Sequence, residues 1–116
     1  MPSPDFSIKT GDTSSAIYAT LEDANGDAVS IAGANVTFKM GPMSGGTLTV
    51  ARAATNAQVG AGTADGSLGN VVFNWGTSDL TTADWYRAEW EVQFSNGSIE
   101  SFPNDSFMVV AVREDL

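Results

Sequence analysis

Tyr86, Ala88, Trp90, Val92 and Phe94 alternate with Arg87, Glu89, Glu91 and Gln93, and this period of two constrains the fold more than any other stretch of the chain. An extended strand puts the five apolar residues on one face and the charged ones on the other. A helix would scatter them around its circumference. The segment is therefore predicted to be a half-buried β-strand.

The same alternation recurs in Ile17, Ala19 and Leu21, in Val36, Phe38 and Met40, and in Val71, Phe73 and Trp75. Turn signals separate these runs at Asp23-Ala-Asn-Gly, Gly41-Pro-Met-Ser-Gly-Gly and Ser95-Asn-Gly-Ser, where Asn and Gly tolerate the positive φ of tight hairpins. Asn96-Gly97 is expected to join the strand from Trp85 to Phe94 to a return strand near Ser98 to Phe102. A final strand is expected over Phe107 to Val112, where a mostly apolar run implies burial on both faces or a covered edge. Phe6 and Ile8 mark a short opening strand. One helical turn is expected near Ser78 to Ala83, capped by Ser78 or Thr77. The stretch from Ala51 to Gly69 is rich in Ala, Gly and Thr, and reads as one weakly specified strand, about Leu48 to Val59, followed by a loop suited to partner contact.

Seven or eight short strands with turns between them are the rhythm of a sandwich. Asp84-Trp-Tyr-Arg-Ala88 adds a tyrosine at the start of a strong late strand, two residues before the place where antibody domains carry their second cysteine. That arrangement resembles a tyrosine corner, with Ala88 at the cysteine position. The predicted fold is all-β, an immunoglobulin-like β-sandwich of about seven or eight antiparallel strands, and 116 residues suffice for one such domain over 1–116.

Composition narrows function. With 42% apolar and 16% charged residues, the chain has a globular balance. Five basic against fourteen acidic residues give a net charge of −9, which repels phosphate backbones and anionic lipid, so neither nucleic acid nor a membrane is an expected partner. The absence of cysteine removes disulfides, thiol nucleophiles and thiolate metal sites. The start, Met1-Pro-Ser-Pro-Asp5, lacks a basic region followed by an apolar one, so a soluble protein made in the cytoplasm is expected.

With no histidine, the Ser/His/Asp and Cys/His arrangements are excluded and an enzyme would depend on carboxylates. Glu89 and Glu91 lie two apart on one strand face, roughly 7 Å apart at Cα, but on the polar face where solvated charges belong. Asp23-Ala-Asn-Gly-Asp27 matches the first, third and fifth positions of a calcium loop. Ala28 and Ala34 stand where that loop needs Gly and Glu, so a hairpin turn is the better reading. The glycines from Gly60 to Gly69 have no following Gly-Lys-Ser/Thr and form no phosphate loop. No catalytic residue, metal ligand or cofactor is expected. Trp75 and Trp90 fall on the apolar phase of their strands and are expected in the core. Trp85 falls on the polar phase, where an aromatic ring can fill a protein pocket or stack on a sugar. Trp85, Arg87, Glu89 and Glu91 are the candidate partner-contact residues.

The chain also resembles the immunoglobulin-like N-terminal domain of upper baseplate proteins of tailed bacteriophages and related short phage proteins. The resemblance is carried by Phe6-Ser-Ile-Lys-Thr-Gly-Asp-Thr13, Leu21-Glu-Asp-Ala-Asn-Gly-Asp-Ala-Val29, Ile31-Ala-Gly-Ala-Asn-Val-Thr-Phe38, Val72-Phe-Asn-Trp75, Asp79, Tyr86-Arg-Ala-Glu-Trp-Glu-Val92 and Glu100-Ser-Phe-Pro-Asn-Asp105. Gly11-Asp12-Thr13 reads as a turn with the Asp side chain satisfying backbone donors, and Phe102-Pro-Asn-Asp105 as a break before the last strand. The resemblance implies a non-enzymatic virion protein that contacts other virion proteins, with self-association among its expectations. Location in a tail, baseplate, head-tail adaptor or capsid decoration is left open by it, and a glycan-binding attachment module using Trp85 is the rival expectation.

Overall fold

The computed structural model describes residues 3–56, 69–104 and 106–115. Among them the regular structure is eight strands: β1 (Phe6–Lys9), β2 (Ile17–Thr20), β3 (Asn35–Pro42), β4 (Val50–Asn56), β5 (Asn70–Phe73), β6 (Asp84–Gln93), β7 (Ile99–Phe102) and β8 (Met108–Arg113). The fold is all-β, a sandwich of two layers. One layer runs β1-β8-β6-β3-β4, and the other runs β4-β5-β2. Strand β4 belongs to both, because Val50 to Ala54 pair with β3 while Thr55 and Asn56 pair with β5.

Strand β6 carries the predicted alternation: Tyr86, Ala88, Trp90 and Val92 are buried and the residues between them are half-buried or exposed. It forms the axis of the larger layer. On one side it pairs antiparallel with β3 from Asn35↔Gln93 to Pro42↔Tyr86. On the other side it takes β8 along Asp84 to Ala88 and β7 along Trp90 to Gln93. Strand β7 ends at Phe102 and β8 begins at Met108, so pairing is interrupted after Phe102 as the motif beginning there predicts. Asn104 Nδ2 there donates to Glu100 Oε2 at 2.8 Å and to the Ser101 carbonyl at 3.0 Å.

The aromatic core forms where the layers face each other. Phe38 of β3, fully buried, stacks on Phe73 of β5 with ring centroids 4.7 Å apart and meets Trp90 at 4.9 Å and Trp75 edge-on at 5.7 Å. Trp75 and Trp90 are core residues, as expected from their phase. Tyr86 Oη donates to the Thr82 carbonyl at 2.6 Å, the backward tyrosine-to-backbone bond that marks immunoglobulin-like sandwiches. Burial, and then the neighbouring Asp84 carboxylate, push the Tyr86 phenol above its ordinary range.

Several local expectations are corrected. Every described strand pair is antiparallel except β1 and β8, which run parallel with Phe6↔Val110 and Lys9↔Arg113. The two strands sit at opposite ends of the described chain and share no hairpin, so no short connection fixes their relative direction. In place of a helical turn at Ser78 to Ala83 the chain makes turns and bends. Asp79 rather than Ser78 or Thr77 supplies the side-chain acceptor there, taking the Gly76 N–H at 2.5 Å. The Gly11 turn is present at φ +81°, but its bonds are backbone ones, Gly11 N–H to the Leu80 carbonyl and Asp12 N–H to the Lys9 carbonyl. Strand β4 is described over Val50–Asn56, and the rest of the expected strand and loop, 57–68, lies outside the described residues.

The hairpin turns follow their residue chemistry. Asp23 Oδ1 accepts from the N–H groups of Asn25 and Asp27 at 2.9 and 3.1 Å, so this carboxylate closes a turn. Gly26 and Gly97 take φ of +84° and +89°, which a side chain at either site would resist. The last strand is buried on both faces as expected: Val109, Val110, Ala111 and Val112 are all buried, and β8 lies between β1 and β6. Phe107, placed in that strand by its sequence, precedes it and is 43% exposed.

Candidate functional site

Strand parity turns one set of side chains away from the core of the larger layer. On β6 these are Trp85, Arg87, Glu89, Glu91 and Gln93, on β3 Thr37 and Lys39, on β8 Val109, Ala111 and Arg113, and on β1 Ser7 and Lys9. The four candidate contact residues therefore share one outward face, as their alternation requires. Their surroundings differ.

Arg87 and Glu89 line a groove of about 320 Å³ together with Lys39, Leu48, Ala88, Ser106 and Phe107. Leu48, in the β3–β4 connection, and Phe107, ahead of β8, are 45% and 43% exposed and give the groove apolar walls. Gly41 allows the Leu48 wall its position, since a Cβ there would stand 3.1 Å from Leu48 Cδ2. Lys39 sits opposite Glu89 in register but turns its ammonium to Glu91, with Nζ 2.6 Å from Oε2. Glu91 is thereby occupied in a half-exposed ion pair and the Glu89/Glu91 carboxylates are not left as a free couple. The side chains of Arg87 and Glu89, in contrast, make no hydrogen bond or ion pair with another described residue.

Trp85 stands farther along the same row and is half-buried. Ala111 is its partner in register, and the Arg113 guanidinium lies 5.9 Å from its ring centroid. One ring face is thus already engaged by a cation. The sequence reading missed Leu48, Lys39, Phe107 and Arg113. Lys39 and Arg113 were accessible from parity, since each follows a core residue on its strand. Leu48 and Phe107 lie in connections, where alternation carries no information about direction.

A second cleft, about 190 Å³, opens between β2 and the β7–β8 break, lined by Ala19, Thr20, Leu21, Glu22, Trp90, Phe102, Pro103 and Met108. Glu22 is its one titratable lining group, so the cleft offers no acid and base pair. Among the described residues no three His, Cys, Asp or Glu side chains approach closely enough to hold a metal ion. No described helix is long and apolar enough to cross a membrane. Compared with known proteins, the chain matches no family model, no curated sequence and no solved structure.

Proposed function

We propose that this chain is a non-enzymatic binding domain that docks another protein on the outward face of the β1-β8-β6-β3 layer. The observation that carries this reading is the groove between Leu48 and Phe107, where two exposed apolar walls flank the unpaired Arg87 and Glu89. Exposed apolar side chains beside unengaged charge are the makeup of a contact patch: the apolar part supplies affinity and the charges supply orientation. Support for a binding role over catalysis also comes from the sequence, which contains no histidine or cysteine, and from Glu91 being neutralised by Lys39. A sugar platform at Trp85 is less favoured, because Arg113 covers that ring.

The resemblance of the sequence to phage baseplate domains extends the reading to a virion component, in the tail, the baseplate, the head-tail connection or a capsid decoration. Peptide mass spectrometry of purified virions, with antibody labelling in electron micrographs, tests that step. Peptides of this chain at a fixed stoichiometry are expected in the particle; their absence from intact virions would sink the assignment. Docking at the groove is tested separately by Leu48→Asp and Phe107→Asp, both of which are expected to leave the fold intact and to prevent incorporation.

A further inference from the structure

The cations of this chain are not spread over its surface. Of five basic residues, Lys9, Lys39, Arg87 and Arg113 occupy outward positions of β1, β3, β6 and β8, and the fifth, Arg52, is bound to Asp79. Neighbouring acids on that face are partly occupied: Glu91 by Lys39, and Asp5, beside β1, by the Val109 N–H at 2.7 Å. Within a chain of net charge −9 this single face concentrates the available positive charge.

The other layer ends in the opposite kind of surface. Among the described residues β2 is the terminal strand and pairs with β5 alone, so its other backbone edge has no described partner. Tyr18 projects from it 63% exposed, the most exposed large apolar side chain among the described residues. The chain continues through Glu22 into the Asp23 to Asp27 turn, and no Lys or Arg occurs between Lys9 and Lys39. Exposed Tyr18 is thus followed along the chain by an acidic stretch with no cation, in which Asp23 is taken up by the Asn25 and Asp27 N–H groups and Glu22 and Asp27 are exposed.

These surfaces complement each other and lie in different layers, so one molecule cannot join its own two. We propose that a second copy of this chain docks its β2 edge on the groove face of the first, with Tyr18 seated between Leu48 and Phe107. The Glu22 and Asp27 carboxylates then face Arg87 and its neighbouring cations. A dry apolar cavity of about 150 Å³ accepts a benzene ring, and the groove, at about 320 Å³, has room for a tyrosine. The contact is head-to-tail: each added copy leaves one groove face and one β2 edge free, so assembly proceeds to a ring or an open filament. Nucleic acid is the less suitable occupant, because Lys39 is paired to Glu91 and Arg87 is left as the one unpaired cation among the described groove residues, whereas polyanion binding draws on many phosphate contacts. This inference rests on the protein-docking reading and names the partner.

Sedimentation velocity of the full chain over a range of concentrations tests it. Association is expected to grow with concentration and to weaken as salt screens the exposed charges. Tyr18→Ala and Arg87→Glu each alter an exposed side chain, so unchanged circular dichroism and melting are expected of both, with self-association reduced at least about tenfold. The decisive sample is the mixture. A Tyr18→Ala molecule keeps an intact groove and an Arg87→Glu molecule keeps an intact β2 edge, so the two together are expected to form a heterodimer that stops growing. A chain that stays monomeric throughout overturns the proposal, as does a mixture that fails to pair or association that survives Tyr18→Ala. Binding of a single-stranded oligonucleotide to the groove face, mapped by amide chemical shifts, overturns it in favour of a polyanion. A monomeric chain that is still incorporated into virions defeats only the second copy as occupant. Self-association with absence from virions defeats only the virion assignment.

Discussion

Arg52 on β4 grips both carboxylate oxygens of Asp79, which lies in the connection between β5 and β6, with Nη1 2.7 Å from Oδ1 and Nη2 in contact with Oδ2. The Asp79 side chain is almost fully buried while that of Arg52 is about half exposed, so the carboxylate is the member that depends on the pair. Gly76 donates its N–H to the same carboxylate and is itself confined, since a Cβ there would stand 3.2 Å from Arg52 Nη2. The Arg52 guanidinium also lies 5.1 Å from the Phe73 ring centroid. The fork thus ties the strand shared by both layers to the turn that leads into β6.

Asp79→Ala removes these bonds, and a loss of about 2–3 kcal/mol in urea unfolding is expected, the Arg52 share being discounted because its end is solvated. The hydrogen bond from Arg52 is the main cause that holds the Asp79 carboxyl below the usual aspartate range, against its burial. A carboxylate with a depressed folded pKa contributes stability that is complete above its unfolded value of about 3.9 and is lost as pH falls through the folded value. The gap in unfolding free energy between the wild-type chain and Asp79→Ala is therefore expected to be widest near neutrality and to narrow in acid. A gap that stays constant from pH 7 to strong acid would count against the ion pair as its source.

Tyr86→Phe deletes one hydroxyl and its bond to the Thr82 carbonyl. Loss of about 1 kcal/mol is expected. The chain has two tyrosines, and the phenolate absorbance that develops above the ordinary tyrosine range is assigned to Tyr86. A raised folded pKa means that this contribution is present below the unfolded value and lost as pH rises through the folded one. Ultraviolet titration of Tyr86→Phe should lack the late component.

Gly69 approaches the β2 end of the second layer so closely that a Cβ would meet the Val29 carbonyl oxygen at 2.7 Å and that of Leu21 at 2.9 Å, at a backbone φ of +71°. Both obstacles are main-chain atoms, which move only with the backbone on either side of the Asp23 to Asp27 turn. Gly69→Ala is expected to lower stability by about 2 kcal/mol or more, read as a shifted denaturation midpoint. An unchanged midpoint would mean that the chain relaxes there at little cost.

Phe38→Ala takes the central ring out of the aromatic cluster. Truncations of buried Phe cost about 3–5 kcal/mol, against a total of about 5–15 kcal/mol for an ordinary domain. Calorimetry is expected to show a strongly lowered melting temperature or no cooperative transition. Arg87→Ala, on the outward face of the same sheet, is expected to melt within a degree or two of the wild-type chain.

What the sequence by itself determined is the set of strands and the face each side chain takes. Successive side chains of a strand point to opposite faces, so Tyr86 to Phe94, Val36 to Met40 and Val71 to Trp75 disclose their buried sides from neighbours alone. Asn96-Gly97 and Asp23 to Asp27 disclose their turns for the same reason: the bonds that close them span four residues or fewer. Only the tertiary structure decided what depends on distant pairing. The parallel partnership of Phe6–Lys9 with Met108–Arg113, the Arg52–Asp79 fork and the groove that Leu48 and Phe107 both line join residues far apart along the chain. No local period encodes such meetings, because strand order is set by packing of the two layers around Phe38 and not by the residues adjoining each contact. The sequence therefore named Trp85, Arg87, Glu89 and Glu91 as one outward row, and the fold divided them, setting Arg87 and Glu89 in the groove, Glu91 against Lys39 and Trp85 under Arg113.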